Sequence, residues 1–343
     1  MAKKPPHKRK ITQADVAKLA GVSRASVSYV LNNKYPISIP ESTRQRILDA
    51  IEELGYVPDR TAQSLRTGRT YTIASIIPDI TNPYYPLLER KIQDVAKQHG
   101  YVHVTYNTDG IAEEEIRCLQ AVQQIRVDGV FGSFFHVQPD DLRPLIEKNI
   151  AVVSLVAARE PVPDFPLDML YVDNVAAACT AVTYLVEHGH TRIAMIGGLE
   201  VAVGQKRTEG YRQALAQCGI PIAHELVRHG DFTEAGGYRE MQALLQITPR
   251  PTAVFTANDL MALGALFAIK ENGLSVPGDV AIVGFDDIPT SRLVSPPLTT
   301  IRKSQDLIGQ RAVEMILERI NKTVAPLGRC EEIPFELIVR QSA

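Results

Sequence analysis

Beyond residue 70, four apolar runs each end in side chains that can hold a small hydroxylated molecule. Pro78-Asp79-Ile80-Thr81-Asn82-Pro83-Tyr84-Tyr85 sets aromatic rings at a helix start, and Met195-Ile196-Gly197-Gly198 leads through a loop to Arg207. Val254-Phe255-Thr256-Ala257 runs into Asn258 and Asp259, and Ile282-Val283-Gly284-Phe285 into Asp286 and Asp287. A guanidinium fork donates to two oxygens at once and a carboxylate accepts from two hydroxyls, so Arg207 with Asp286 suits a polyhydroxyl ligand. Phe232 or Tyr85 can lie flat against a sugar ring or a base. Each residue also has a plainer role. Asn258 precedes an amphipathic stretch and serves equally well as its cap. Asp287 suits a turn or cap better than a ligand contact, and Tyr84 and Phe232 can be core fillers. Arg207 and Asp286 could form a structural ion pair, but their places after strands favour a cleft.

The elements that must carry these residues are legible in the pattern. Strand-length apolar runs at 72–77, 101–106, 129–134, 151–156, 192–196, 253–256 and 280–284 alternate with amphipathic stretches at 84–99, 113–126, 175–188, 207–218, 235–245, 259–271 and 304–321. Such alternation predicts an α/β unit with parallel sheets covered on both faces. Residues 71 to 343 exceed one ordinary sheet domain, so two lobes with a cleft between them are expected. Ligands bind beyond the carboxyl ends of parallel strands, which is where all four polar stretches fall.

The N-terminal residues have a different character. Thr12 followed by Asp15 is a helix-start signature, with Val16, Leu19 and Ala20 at helical spacing behind it. Gly21 stops that helix and Ser23 can cap the next. On the second helix Val27, Val30 and Leu31 form the inner face, leaving Arg24, Ala25, Ser28 and Tyr29 on the other side. Two short helices across a tight turn describe a helix-turn-helix; an ordinary helical hairpin is the plainer alternative. A third helix is expected to about Leu54, with Ile47, Leu48, Ile51 and Leu54 inward and Gly55 ending it. Charge favours the DNA-binding reading. Residues 1–70 hold 13 Lys and Arg against 6 Asp and Glu, a balance of +7, whereas the whole chain is −2. A basic head on an acidic body is the footprint of phosphate binding by the head alone.

Residues 1–10 read as a basic, disordered arm, 11–57 as the helix-turn-helix domain, 58–70 as a hinge helix and linker, and 71–343 as the two-lobed domain. Pro58 suits a first helical turn, and Ala62 and Leu65 share one face beside Arg60 and Arg66. A leucine so placed suits a minor-groove wedge; a plain linker leucine is the rival. The four cysteines form no Cys-x-x-Cys pair, so neither a disulfide framework nor a zinc site is expected. No apolar run follows the basic N-terminus and none is long enough for a membrane span, which reads as cytoplasmic.

Three motifs resemble the lactose/galactose-repressor family of bacterial transcription regulators: Asp-Val-Ala-x-x-Ala-Gly-Val-Ser-x-x-x-Val-Ser-x-Val-Leu-Asn from Asp15, Glu-x-Thr-Arg from Glu41, and Gly-Tyr-x-Pro-x-x-x-Ala-x-x-Leu from Gly55. The body resembles the same family's effector domain, itself like periplasmic sugar-binding proteins, through Arg-Val-Asp-Gly (126–129), Gly-His-x-x-Ile (189–193), Arg-x-x-Gly-Tyr (207–211), Ala-Asn-Asp-x-Met-Ala-x-Gly (257–264), Val-Gly-Phe-Asp-Asp (283–287) and Pro-Pro-Leu-Thr-Thr-Ile (296–301). The resemblance implies that Arg24, Ala25, Ser28 and Tyr29 face base edges in the major groove and that Ala62 and Leu65 enter the minor groove. It implies Arg207 and Asp286 as the main effector contacts, supported by Asn258, Phe232 and Tyr85. Val201 and Val203 stand where the purine-responsive branch has Arg and Thr, which favours a sugar over a purine.

The expected protein is therefore a dimeric repressor on a near-palindromic operator, gated by a small sugar or sugar derivative and needing no cofactor. Its leading competitor is a sugar-binding transport protein, which the basic head disfavours. An enzyme is weaker still, since no phosphate loop, Gly-x-Ser-x-Gly or His-Glu-x-x-His occurs. No leucine heptad follows the last strand near Arg340, so a tetramer built on a terminal coiled coil is not expected.

Overall fold

The computed structural model describes residues 11–32, 39–57, 64, 68–161 and 164–343, and the chain divides into two units at the Thr70–Tyr71 junction. Ala62 and Leu65 of the expected hinge, the arm 1–10 and the loop between the second and third helices lie outside the described residues, apart from Ile39 and Pro40 of that loop.

In the first unit, α1 (Gln13–Ala20), α2 (Arg24–Asn32) and α3 (Glu41–Leu54) pack round Val16, Ala17, Ala20, Val27, Val30, Ile47, Ala50 and Tyr56. The Asp15 carboxylate reaches back to Thr12 N at 2.9 Å and Thr12 Oγ1 at 2.7 Å. Ser23 Oγ accepts from Ser26 N at 3.1 Å, capping α2. Gly21 and Gly55 end α1 and α3 with φ of 64° and 58°, where a Cβ would be strained. Two inward assignments are corrected: Leu19 and Leu48 are 45% and 41% exposed, and Ala17 and Ala50 are buried instead. At 100° per residue each leucine lies at the margin of its helix's stripe, and alanines let the three helices approach more closely than leucines would.

The second unit begins with β1 (Thr72–Ile77), α4 (Tyr84–Gln98), β2 (Val102–Asn107), α5 (Ala112–Ile125), β3 (Gly129–Gly132), α6 (Pro139–Glu147), β4 (Ala151–Val156) and β5 (Leu167–Tyr171). It continues with α7 (Asn174–Glu187), β6 (Ile193–Gly197), α8 (Ala202–Gln217), β7 (Val227–His229), α9 (Glu234–Leu245), β8 (Ala253–Thr256) and α10 (Asp259–Glu271). The last elements are β9 (Ala281–Asp286), β10 (Thr299–Lys303), α11 (Gln305–Ile320), β11 (Cys330–Glu332) and β12 (Phe335–Ile338). Two six-stranded sheets result, ordered β11-β5-β4-β3-β1-β2 and β12-β10-β9-β8-β6-β7. All pairings are parallel except β10 with β12.

The sheet order makes the chain cross between lobes after β5, after β10 and after β11. Residues at a crossover belong mechanically to both lobes, and two of them, Asn174 and Lys303, line the cleft. Short β5, β7, β10 and β11 and the proline-interrupted α6 escape the sequence pattern. Helix α8 starts at Ala202 rather than Arg207, because Gly204 packs on the Leu199 carbonyl, where a Cβ would come within 2.1 Å. Valines and a glycine disfavour helix locally, but this close approach overrides them.

Candidate functional site

The carboxyl ends of β1, β3, β4, β6, β8 and β9 open on one interlobe cleft of about 490 Å³. Tyr85, Arg207, Phe232, Asn258 and Asp286, chosen from sequence, all line it. Arg207, in the second turn of α8, is 4% exposed and has its donors directed by three groups. Its Nε donates to Asn174 Oδ1 at 2.9 Å, Nη1 donates to the Ala257 carbonyl, and Nη2 stands 3.8 Å from Asp286 Oδ1. The guanidinium also lies over the Phe285 ring, 3.8 Å from its centroid. Burial pushes its pKa down and the Asp286 charge opposes that, but a guanidinium stays protonated in proteins.

Asp286 ends β9 with φ 119°, a conformation that aims its carboxylate out of the sheet end into the cleft. Its Oδ1 pairs with Lys303 Nζ at 2.8 Å and stands 3.8 Å from Arg207 Nη2, so two buried cations hold the carboxylate in the cleft. The hydroxyl of Tyr84, a residue 3% exposed, has no hydrogen-bond partner. Burial, then the Asp286 charge, hold the Tyr84 pKa well above its ordinary value, so it is a neutral donor. A buried donor without a partner, beside a carboxylate set between two cations, is what a hydroxylated ligand would engage.

Sequence reasoning missed Lys303. Its Nζ sits 4.0 Å from the Tyr84 ring centroid beside Asp286, and burial lowers its pKa from 10.5 to about 8 against the opposing pull of Asp286. The signal was the end of β10, a strand not read from the pattern. Asn174 was missed too. Beyond holding Arg207, its Nδ2 donates to the Ala157 carbonyl at 2.7 Å and the Val172 carbonyl at 2.9 Å. It thereby ties the backbone beyond β4 and β5 of one lobe to the cleft arginine of the other.

The plainer roles also have answers. Asn258 does cap α10, its Oδ1 accepting from Met261 N at 2.9 Å, while Nδ2 donates to the Phe232 carbonyl at 2.8 Å. Its polar groups are thus spent on the protein, although it lines the cleft. Asp287 pairs with Arg302 at 2.7 Å and Arg340 at 2.6 Å and is structural. Asp259 accepts from Ile288 N, Ser291 Oγ and Thr300 Oγ1. Burial, then Asp286, raise its pKa to about 6. The Tyr85 hydroxyl approaches Ser133 Oγ at 3.5 Å. Among the described residues no group of three or more His, Cys, Asp or Glu could hold a metal ion, and no helix is long and apolar enough to cross a membrane.

On the head, Arg24 and Ala25 are exposed, Tyr29 is 36% exposed and Ser28 is half-buried, so one side of α2 presents all four to the outside of the unit. Residues 12–59 match the model for bacterial regulatory proteins of the lacI family, and residues 182–343 match the periplasmic binding protein-like domain. The HTH-type transcriptional repressor CytR of Escherichia coli strain K12 is 36% identical over 334 residues, 96% of each chain. The chain belongs to the LacI family. The ribose operon repressor of the same strain is also 36% identical, covering 97% of this chain and 99% of that one. Among solved structures, a lac repressor dimer bound to operator and the anti-inducer ONPF aligns with TM-score 0.84 at 28% identity, covering 97% and 99% of the two chains. A transcriptional regulator CelR–cellobiose complex aligns with TM-score 0.71 at 31% identity, covering 97% and 100%. This LacI-family chain is a DNA-binding transcriptional repressor.

Proposed function

We propose that the cleft takes a small sugar or sugar derivative and that its occupancy sets operator affinity. The observation that carries this is the unpartnered Tyr84 hydroxyl beside the Asp286–Lys303 pair and a preorganised Arg207. Asp286 accepts two ligand hydroxyls, Arg207 and Lys303 donate to ligand oxygens, and Tyr85 and Phe232 pack on the ring. Asn258 acts through Phe232 rather than on the ligand. Relatives with the same architecture are described with cellobiose and with operator DNA, which supports the same division of labour here.

The functional parts are a helix-turn-helix head over residues 11–57, a linker over 58–70, and an effector and dimerisation domain over 71–343. Two heads on a two-fold dimer read a near-palindromic operator in the cytoplasm, with Arg24, Ala25, Ser28 and Tyr29 at base edges. Ala62 and Leu65 enter the minor groove at its centre. Effector binding between the lobes shifts the operator equilibrium by its differential affinity for the two lobe arrangements. A thermal-shift screen of the full chain against a sugar panel, followed by calorimetry of Asp286→Asn, tests the site. A hit whose affinity is unchanged in Asp286→Asn removes Asp286 from the contact set.

A further inference from the structure

Besides Arg207, Asp286, Lys303 and Tyr84, the cleft lining carries apolar side chains: Phe134, Phe135, Leu155 and Val156 from the first lobe and Leu199, Val203 and Phe232 from the second. Leu199 is 39% exposed, an apolar side chain left partly in water at a cleft wall. A simple sugar held by Asp286 and Arg207 alone would leave apolar lining uncovered, which is unfavourable in proportion to the area left in water.

Two of these rings face each other from opposite lobes. Phe135, after β3, and Phe232, after β7, have centroids 6.1 Å apart with planes 36° apart. Both are fixed from behind. Phe232 takes φ 65°, its ring lies where a Cβ on Gly198 would come within 2.0 Å, and Asn258 holds its carbonyl. Phe135 lies on Gly110, where a Cβ would come within 3.1 Å. Its loop hangs on the fully buried Glu115 carboxylate, which accepts from Phe135 N at 2.6 Å, His136 N at 2.9 Å and Val137 N at 3.0 Å. Spending a buried carboxylate on three successive amides fixes one loop, and the outward product of that loop is the Phe135 ring.

We propose that the effector is a hydroxylated ring joined to a flat apolar group. Its hydroxyls meet Asp286, Arg207 and Tyr84, and its flat group packs against Phe135 and Phe232, replacing their contact with each other. The inference rests on the effector reading above and narrows it, moving Phe232 from the sugar ring to the flat group. Phe135 is the new specificity-determining residue, because it is the first lobe's half of the aromatic pair.

Matched ligands test this by calorimetry on the full chain: methyl against phenyl β-D-glucoside and β-D-galactoside, and methyl β-D-ribofuranoside against the common ribonucleosides. At least one flat-substituted member should bind about tenfold tighter than its methyl partner, an advantage of about 1.4 kcal/mol. Phe135→Ala should cut the flat member's advantage over its methyl partner, both measured on the variant, to about threefold or less. Phe135→Leu, which keeps packing on Gly110 but offers no ring face, should behave alike and guards against a fold defect in the alanine variant. Equal binding within every pair overturns the inference and leaves the sugar site standing. An advantage that survives both substitutions overturns the role of Phe135. Failure of every pair to bind overturns the effector class and this inference with it.

Discussion

Lys303 is a buried ammonium whose titration should be visible in the stability of the whole protein. The fold holds its pKa at about 8 against an ordinary 10.5, chiefly because burial penalises the charge. Below pH 8 the lysine is charged in both folded and unfolded chains, and the burial cost is present in full. Between the two values the unfolded chain binds the proton more tightly, so stability rises with pH and levels off above the unfolded value. Raising pH from about 7 to about 9.5 should therefore add about 2 kcal/mol at this residue alone. Lys303→Met keeps the length and apolar stem of the side chain and cannot titrate, so ionisations not coupled to Lys303 cancel in the difference. The assay is urea unfolding of both proteins at the two pH values. The wild-type midpoint should gain on the variant's by the equivalent of about 2 kcal/mol at the higher pH. Parallel behaviour would mean that Lys303 is either solvated or held charged by Asp286, and the electrostatic account of the cleft floor would be wrong.

Three other outcomes follow from named contacts. Asn174→Asp keeps an acceptor for Arg207 but takes donors from the Ala157 and Val172 carbonyls. It should cost about 2 kcal/mol in urea unfolding and shrink the effector-dependent change in operator affinity more than it weakens effector binding itself. Unaltered linkage in a DNA titration would remove Asn174 as a tie between lobes. Gly198→Ala pushes a methyl into the Phe232 ring. Calorimetry should show at least about fivefold weaker effector binding, with little change in melting temperature because the ring is half-buried. Tyr29→Ala should weaken operator binding and relax base preference while leaving non-specific binding and its salt slope unchanged, because Tyr29 carries no charge. A uniform loss on all DNA would place it elsewhere than at a base edge.

The sequence was most readable where period and burial agree. Strands β1, β4 and β8 are predominantly apolar runs, broken only by Ser or Thr, inside parallel sheets, and their bounds match the pattern. Tyr85, Arg207, Phe232, Asn258 and Asp286 were locatable because polar residues follow such runs. Lys303 and Asn174 were not, since both sit at crossovers whose place depends on strand order, a long-range property no local window contains. Phe135 escaped for a related reason: its partner Phe232 is far along the chain and in the other lobe. Helix α8 shows local propensity losing to packing, with Gly204 chosen for contact with Leu199 rather than for helix formation. Leu19 and Leu48 show that a stripe read one residue too wide sends a leucine to the surface.

The central claim is that cleft occupancy changes the grip on DNA. The decisive measurement is operator affinity of the full-length protein, on a site it selects from random duplexes at fixed salt, with and without a saturating ligand from the thermal screen. The account predicts a shift of about fivefold or more in either direction, corresponding to a coupling of at least about 1 kcal/mol, and its disappearance in Asp286→Asn. Equal affinity with the cleft full and empty would contradict it.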